Sequence, residues 1–277
     1  MVVAVYPTDI SVEQWLAVQP VLTGIGKPGR PLRYDLRAIF NGCLYIARAS
    51  CCWRSLPKDA YPPWTVVFWH FQRWSKSGLL ERVTHALNEA VRINMGREMT
   101  PSTLIVDAHS LKSRNGGEGI GFDGNKKVHG RKNQILIDTV GLVWGVHTHA
   151  ANLSDTYEAV PLFKHFLPLL PRAKRVYFDK GYRGTAVSYL AGLGMASHIP
   201  DRGLGEKMVG FQPEPLRWRV ERTIAWITNC RRLGASFERT ISSCEGFAWL
   251  AGCYIALRKL AGTKPWAKKK ETCHLII

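Results

Sequence analysis

The chain has 277 residues, of which 46% are hydrophobic, so a sizeable core can form and wholesale disorder is excluded. It carries 38 Lys and Arg against 21 Asp and Glu, and the net charge of +17 is spread along the whole sequence. This distribution favours an extended polyanion as partner over a small acidic ligand. No long basic amphipathic helix supports a membrane surface as the partner.

Cysteine usage and the apolar runs predict a soluble, cytoplasmic protein. The seven cysteines include no Cys-x-x-Cys pair, which argues against a zinc ribbon or finger and fits reduced thiols. The first residues lack the basic segment and the long apolar run of a signal peptide. The longest apolar run, Phe247 to Leu257, has 11 residues and is too short to cross a bilayer.

The first hundred residues predict a small all-α domain. A capping box at Ser11 to Gln14 opens one helix, a second follows from Leu36 to Ala47, and the apolar pattern resumes at Trp64. A turn at 75–78 then precedes a helix over 79–92, which resembles a helix-turn-helix. A helical hairpin that simply packs is the alternative. The aromatic residues at helical spacing are predicted to be core rather than platforms for bases.

Around Pro101 the pattern changes from helical to stranded. A β-rich run over 103–106 ends in Asp107, and residues 110–134 are predicted to be a polar, mobile, Gly-rich loop. A G-x-G-x-x-G match in this loop lacks the strand and helix that a dinucleotide site requires, so we reject that interpretation. Four basic residues of the loop either neutralise DNA phosphates or are simply solvated: Lys126, Lys127, Arg131 and Lys132.

The rest of the middle section predicts a mixed sheet. Strands over 135–139 and 142–149 form a hairpin that turns near Gly141, and they are followed by a helix over 155–167, a strand into Asp179, a helix over 183–193 and a strand over 195–199. His147 and His149 share a strand face, but no neighbouring carboxylate supports a metal there. The order is that of a ribonuclease-H-like sheet.

We therefore predict an α/β fold in which a ribonuclease-H-like mixed-sheet catalytic domain follows a helix-turn-helix-like domain. The predicted bounds are 1–100 for the helical domain, 101–260 for the catalytic domain, and 261–277 for a basic, disordered tail.

Three acids form the candidate site. Asp107 and Asp179 follow strands that would be neighbours in such a sheet, and Glu221 lies beside the apolar stripe of a helix predicted over 216–233. An ordinary turn acid and a surface ion pair are the alternatives for Asp179 and Glu221. Three converging carboxylates would repel one another unless a cation joined them, and hard oxygen ligands suit Mg²⁺ or Mn²⁺, with two ions expected.

These motifs resemble bacterial insertion-sequence transposases with an Asp-Asp-Glu triad, most closely the group founded on insertion sequence five. The resemblance runs from about Ser11 to Leu260. It is carried by Gln14-Trp15, Gly29-Arg30-Pro31, Asp35-Leu36-Arg37-Ala38, Trp53-Arg54-Ser55-Leu56-Pro57, Val106-Asp107, Lys126-Lys127, Gly130-Arg131-Lys132, Ile135-Leu136-Ile137-Asp138-Thr139, Phe178-Asp179-Lys180-Gly181-Tyr182 and Arg217-Trp218-Arg219-Val220-Glu221-Arg222-Thr223.

The resemblance implies that Asp107, Asp179 and Glu221 are the catalytic residues and the metal ligands. The wider signature near the third acid has Tyr, Arg, Glu and Lys. Arg217 and Glu221 fill two of its places, whereas Glu214 and Thr228 stand where Tyr and Lys would be, so that Arg231 or Arg232 could replace the Lys. The residues expected to bind DNA are Lys126, Lys127, Arg131, Lys132, Lys180, Arg183, Arg217, Arg222, Arg231 and Arg232. His109 receives no role.

The implied function is a nucleoid-associated bacterial transposase. It would bind the terminal inverted repeats of its element as double-stranded DNA, cut there, and join the 3′-hydroxyl ends to target DNA by two-metal phosphoryl transfer. A homo-oligomer would pair the two ends. The alternatives are a nuclease with the same triad but no strand transfer, and a transposase-derived DNA-binding protein without catalysis.

Overall fold

The computed structural model describes residues 6–23, 33–199 and 217–262. The helices are α1 (Val12–Thr23), α2 (Leu36–Ala49), α3 (Trp64–Lys76), α4 (Leu79–Asn94), α5 (Asp155–Phe166), α6 (Thr185–Gly192), α7 (Arg217–Thr228) and α8 (Ile241–Leu260). The strands are β1 (Thr103–Lys112), β2 (Gly121–Asp123), β3 (Val128–Asp138), β4 (Val143–Ala150), β5 (Arg175–Tyr177) and β6 (Ala196–His198).

The amino-terminal helices occur where the sequence predicts them. The capping box of α1 is formed, because the Gln14 amide donates to Ser11 Oγ at 3.2 Å and the Ser11 amide donates to Gln14 Oε1 at 2.9 Å. The turn between α3 and α4 depends on Gly78, whose φ of +66° lies in the left-handed region. The two predicted helices and the turn between them are thus confirmed.

One mixed sheet joins all six strands. Its order is β2-β3-β1-β5-β6, and β4 also pairs with β3. β3 runs antiparallel to β1, β2 and β4, whereas β1, β5 and β6 are parallel. The fold is therefore mixed α/β, and the predicted neighbourhood of the strands that lead to Asp107 and Asp179 is confirmed.

The prediction of a loop over 110–134 is wrong. β1 continues through Lys112, β2 lies within the supposed loop, and β3 already begins at Val128. The polar side chains of β3 from Arg131 onwards are buried and hydrogen-bonded instead of solvated. Asn133 Oδ1 accepts from Thr148 Oγ1 at 3.0 Å, and Gln134 Nε2 donates to the Asp155 carbonyl at 2.9 Å. These bonds satisfy polar groups that would otherwise oppose burial.

Helix α8 lies at the centre of the core. It packs against α2, α3 and α4 as well as against β4, and its approach to the strand requires a glycine. A Cβ at Gly252 would lie 3.0 Å from Thr84 Cγ2 and 3.3 Å from Val143 Cβ. One hydrophobic cluster includes residues of the helical region and of the sheet. The boundary at residue 101 remains a prediction, and most of the predicted tail (263–277) lies outside the described residues.

A buried ion pair ties α4 to the hairpin between β3 and β4. Arg92 Nη1 lies 2.6 Å from Asp138 Oδ2, and neither side chain is more than 7% exposed. The other carboxylate oxygen of Asp138 accepts from the amides of Val140 and Leu142 at 2.8 and 3.0 Å. Gly141, with φ +86°, makes the turn as predicted. The pair fixes the turn against the helical layer.

Glu245 of α8 is a buried acid next to the sheet. Its Oε1 accepts from the Thr148 amide at 2.8 Å, which lowers the pKa, but burial outweighs this bond and raises the pKa of the carboxyl to about 7. The folded protein thus holds a proton on Glu245 that the unfolded chain releases near pH 4.5. Ionisation of this carboxyl opposes folding.

We expect stability to fall as the pH rises from 4.5 to 7 and expect Glu245→Gln to remove that part of the fall. The raised pKa means that the native state binds more protons than the unfolded state in this window, so the free energy of unfolding decreases with pH. The variant should be more stable than the original chain by about 3 kcal/mol at pH 8 and equal to it near pH 4. Urea unfolding at several pH values measures this, and parallel pH profiles for the two proteins would contradict it.

Two further findings concern membranes and thiols. No helix within the described ranges has the length and apolar character needed to cross a membrane. The six cysteines in these ranges are free thiols.

Candidate active site

Asp107 lies on β1, and Asp179 follows the end of β5, the parallel strand beside it. The pairing of β1 with β5 extends to Ile105 and Tyr177, and each acid comes two residues after that last pair. Because neighbouring strands are about 4.8 Å apart, the two acids occupy matching positions just beyond the paired residues of β1 and β5. The prediction that Asp107 ends its strand is wrong, because Asp107 lies within β1, opposite Ile135 of β3.

Local hydrogen bonds orient both carboxylates. Asp107 Oδ1 accepts from the Ala108 amide at 2.7 Å. Asp179 caps a short 3₁₀ turn over Lys180–Tyr182, and its Oδ1 accepts from the Gly181 amide at 2.8 Å. A Cβ at Gly181 would lie 3.1 Å from the same oxygen, so the glycine leaves room for this close approach.

The charges of both acids affect the pKa of one buried hydroxyl group, that of Tyr182. Tyr182 is 1% exposed, and its ring stacks on Phe178 with centroids 5.5 Å apart. Burial raises the pKa of Tyr182 well above 10, and the negative charges of Asp107, Asp155 and Asp179 raise it further. Asp155, the first residue of α5, is therefore a third acid near the pair, although it also binds Lys132 Nζ at 3.1 Å.

Glu221, the third acid of the predicted site, comes from helix α7. It is an exposed residue of α7, and α7 contacts β1, the strand of Asp107. Among the described residues, no three His, Cys, Asp or Glu side chains are grouped so that they could hold a metal ion. The pair of aspartates alone fits the chemistry of Mg²⁺ or Mn²⁺, because Mg²⁺ is often held by one or two carboxylates, with waters and substrate phosphates completing its shell.

The histidines do not add a metal site. His147 Nε2 lies 2.9 Å from Glu158 Oε2, so the carboxylate missing from the nearby sequence comes from α5. His149 Nδ1 instead lies 2.9 Å from the Ala150 carbonyl, and burial lowers its pKa. His109 follows Asp107 by two residues and shares its strand face; burial, and then the charge of Lys126, lowers its pKa. It is therefore a mainly neutral imidazole.

Two family models match this chain. The model described as "Putative transposase of IS4/5 family" matches residues 10–84, and the model described as "Transposase DDE domain" matches residues 98–200. The chain belongs to the IS4/5 family of transposases with a DDE domain. The second match includes Asp107 and Asp179 and ends before Glu221.

A curated relative agrees with this membership. The chain is 29% identical over 144 residues to the "Putative transposase for insertion sequence element IS402" of Burkholderia cepacia. The aligned part is 47% of this chain and 64% of the relative, so the similarity spans less than two thirds of that protein.

Three of the basic residues expected to contact DNA in this IS4/5-family chain are committed to its interior. Arg131 is 0% exposed, and its guanidinium donates to Ser236 Oγ and to the Glu238 carbonyl at 2.6 and 2.7 Å. Lys132 Nζ is paired with Asp155, and Arg232 is paired with Glu238 at 2.7 Å. Buried cations need such partners, and these bonds leave none of the three available to a phosphate. We withdraw them from the predicted interface.

The other predicted DNA contacts remain accessible to different degrees. Arg222 is half-buried, and the side chain of Arg217 lies outside the described residues. The exposed ones are Lys126, Lys127, Lys180, Arg183 and Arg231.

A group of indole rings and cations on α7 and α8 was not predicted from the sequence. The Arg222 guanidinium lies between the rings of Trp218 and Trp226, 4.3 and 4.5 Å from their centroids, and Lys259 Nζ lies 5.2 Å from the Trp226 centroid. We call Trp218, Arg222, Trp226 and Lys259 the tryptophan ladder. Trp218, Arg222 and Trp226 stand at i, i+4 and i+8, a helical spacing that the sequence displays.

The cations of the tryptophan ladder repel one another. Burial, and then the charge of Arg219, lowers the pKa of Arg222. Burial and the charge of Arg222 lower the pKa of Lys259, against a smaller opposite effect of Asp138. In the part of the chain that the structure describes, neither cation has a carboxylate within ion-pair distance. An anion bound here would relieve this repulsion.

Proposed function

We propose that the chain binds the double-stranded ends of an insertion sequence, cuts them, and joins the freed 3′-hydroxyl groups to target DNA. The observation that carries this proposal is the pair Asp107 and Asp179, each two residues after the last paired residue of two neighbouring parallel strands, within the part matched as a DDE domain. The membership of the chain in the IS4/5 family also supports DNA as the substrate.

The residues of the site would divide the work of phosphoryl transfer. Asp107 and Asp179 would hold the divalent cations, Mg²⁺ or Mn²⁺, and Glu221 would join them from α7 when DNA is bound. Bound cations would supply Lewis-acid activation of the attacking oxygen and charge stabilisation at the leaving oxygen. The exposed Lys180 and Arg183, which follow Asp179 directly, would contact the phosphates beside the scissile bond.

We also propose that the sheet is ribonuclease-H-like and that the protein acts as a homo-oligomer. The strand order around β1, β3 and β5 supports a ribonuclease-H-like sheet, in which acids from neighbouring strands and a later helix meet. A homo-oligomer would pair the two DNA ends, and the helical region over 12–94 would help to hold them. Association with the nucleoid would follow from binding DNA.

The experiment that tests the function uses purified protein, Mg²⁺ and end-labelled DNA that carries the sequences flanking the gene. We expect nicks at the element ends and, when pre-cut ends are supplied, joined products. Cutting without joining would indicate the nuclease alternative. Reactions with EDTA should give neither product, because the cations would be removed.

The placement of Glu221 favours a second candidate, a DNA-binding protein that no longer cuts. Glu221 is exposed, and the described residues contain no three-ligand group, so the third ligand would have to move into place. Tight binding to the flanking DNA without any cation-dependent cutting would support this candidate.

The tryptophan ladder adds a surface to the proposed DNA interface. Its two cations face no acid partner within the described ranges, and the indole rings hold the Arg222 guanidinium in place before any ligand arrives. Cations fixed in this way suit the phosphodiester backbone, whose contacts carry affinity but no sequence information.

We expect Arg222→Ala and Lys259→Ala each to weaken DNA binding evenly across sequences. Each lost phosphate contact should reduce the slope of log K against log salt concentration by about 1. Lys164→Ala, which removes an exposed cation from α5 outside the proposed interface, is the matched control and should leave the slope unchanged. Fluorescence anisotropy at four salt concentrations measures these slopes. Equal slopes for Arg222→Ala and the unaltered chain would remove the ladder from the interface.

A further inference from the structure

The hydroxyl group of Tyr182 has no hydrogen-bond partner within the described ranges, although it is fully buried. More than nine in ten buried polar groups in proteins are hydrogen-bonded, so each exception requires an explanation. A phenylalanine would fill this space equally well if packing were the only role of the ring. The oxygen atom therefore points to a function.

The surroundings of this hydroxyl are unusually acidic for a buried tyrosine. The charges of Asp107, Asp155 and Asp179 all act on it, and none of the three accepts its proton in a hydrogen bond. Asp155 is paired with Lys132 at 3.1 Å and so has a structural partner. The other two acids are the proposed cation ligands, which makes their common ligand the natural acceptor for the hydroxyl proton.

The ring cannot easily turn towards another acceptor. It stacks on Phe178 at 5.5 Å, and the main chain of Tyr182 is fixed on both sides. Its amide donates to the Asp179 carbonyl at 3.3 Å, and its carbonyl accepts from Thr156 Oγ1 at 3.0 Å. These contacts orient the hydroxyl before any ligand binds.

We propose that Tyr182 is a positioning residue whose hydroxyl donates a hydrogen bond to an oxygen ligand of the cation held by Asp107 and Asp179. This inference rests on the proposed function. The acceptor is a water or a phosphate oxygen, and the bond orients that oxygen beside the two carboxylates. No proton leaves the tyrosine, since a buried phenol between negative charges stays protonated.

The test compares Tyr182→Phe with Tyr189→Phe. Tyr189 lies on the following helix, α6, where its ring stacks on Phe163 at 6.5 Å, so its variant removes a hydroxyl outside the acidic surroundings. Binding of Mn²⁺ to the protein without DNA is measured by calorimetry. We expect Tyr182→Phe to weaken binding fivefold to tenfold, and Tyr189→Phe to leave it unchanged.

A second readout separates positioning from a structural role. The metal-free thermal midpoint of Tyr182→Phe should equal or exceed that of the unaltered chain, because no hydrogen bond within the protein is lost. Unchanged Mn²⁺ affinity of Tyr182→Phe would overturn the inference, whatever the thermal midpoint. If the metal-free midpoint were also lower, Tyr182 would have a structural role alone.

The failure of this inference and the failure of the proposed function give different results. A protein that neither cuts nor joins end DNA, but in which Tyr182→Phe weakens Mn²⁺ binding, would overturn the proposed function and leave this inference standing. Conversely, normal Mn²⁺ binding by Tyr182→Phe in a protein that cuts DNA would overturn this inference and leave the function intact.

Discussion

Asp107→Asn should abolish DNA cutting and leave DNA binding nearly unchanged. The amide has the size of the carboxylate and its oxygen can still accept from the Ala108 amide, so β1 keeps its local geometry. The negative charge that would hold the cation is lost, and with it transition-state stabilisation worth several kcal/mol, or a rate decrease of about a thousandfold or more. The measurement is the initial rate of cutting of labelled end DNA with Mg²⁺.

The control for this prediction is Asp59→Asn, the same chemical change at an exposed acid outside the site. It should cut at the rate of the unaltered chain. Asp179→Asn should match Asp107→Asn, because the two carboxylates would share the cation. The double variant should be no worse than either single variant, since residues that act as a unit are not additive. A cutting rate for Asp107→Asn within tenfold of the control would contradict the proposed site.

Arg92→Met should cost about 3–5 kcal/mol of stability, the range for breaking one partner of a buried ion pair. The thioether side chain fills most of the space but leaves Asp138 with its carboxylate 0% exposed and without its guanidinium. The carbonyls of Glu98 and Thr100, which Arg92 also binds, lose a donor as well. Urea unfolding followed by circular dichroism measures the free energy of unfolding.

The chain contains a matched exposed pair for comparison. Arg172 Nη1 lies 2.7 Å from Glu98 Oε2, but these side chains are 44% and 70% exposed. Arg172→Met removes the same chemical group, and water takes over the lost interaction, so the expected cost is below about 1 kcal/mol. Similar losses for the two variants would show that burial does not govern the strength of the Arg92 pair.

The sequence predicted the helical leader and the neighbourhood of Asp107 and Asp179 well. Amphipathic spacing and turn residues are local signals, and α2, α3 and α4 display them clearly. The order of strands then made β1 and β5 neighbours, which depends on topology rather than on boundaries. Glu221 lies on α7, within the helix predicted over 216–233, and its role as third ligand stays a prediction.

Buried polar residues account for most of the errors. Asn133 and Gln134 interrupt the apolar alternation by which a strand is recognised, so half of β3 was assigned to a loop. Arg131 and Arg232 read as surface cations, because their partners are main-chain carbonyls and an acid that only the folded chain brings near. Lys259 stands 37 residues after Arg222, and no periodic pattern connects the two.

The central position of α8 has a consequence for synthesis of the protein. Helices α2, α3 and α4 and strand β4 all pack on a segment that the ribosome makes after them, at 241–260. Until that segment emerges, the nascent chain exposes the apolar surfaces that α8 will cover. Translation paused before residue 241 should therefore leave a species prone to aggregate or to recruit chaperones, because exposed apolar surface drives both.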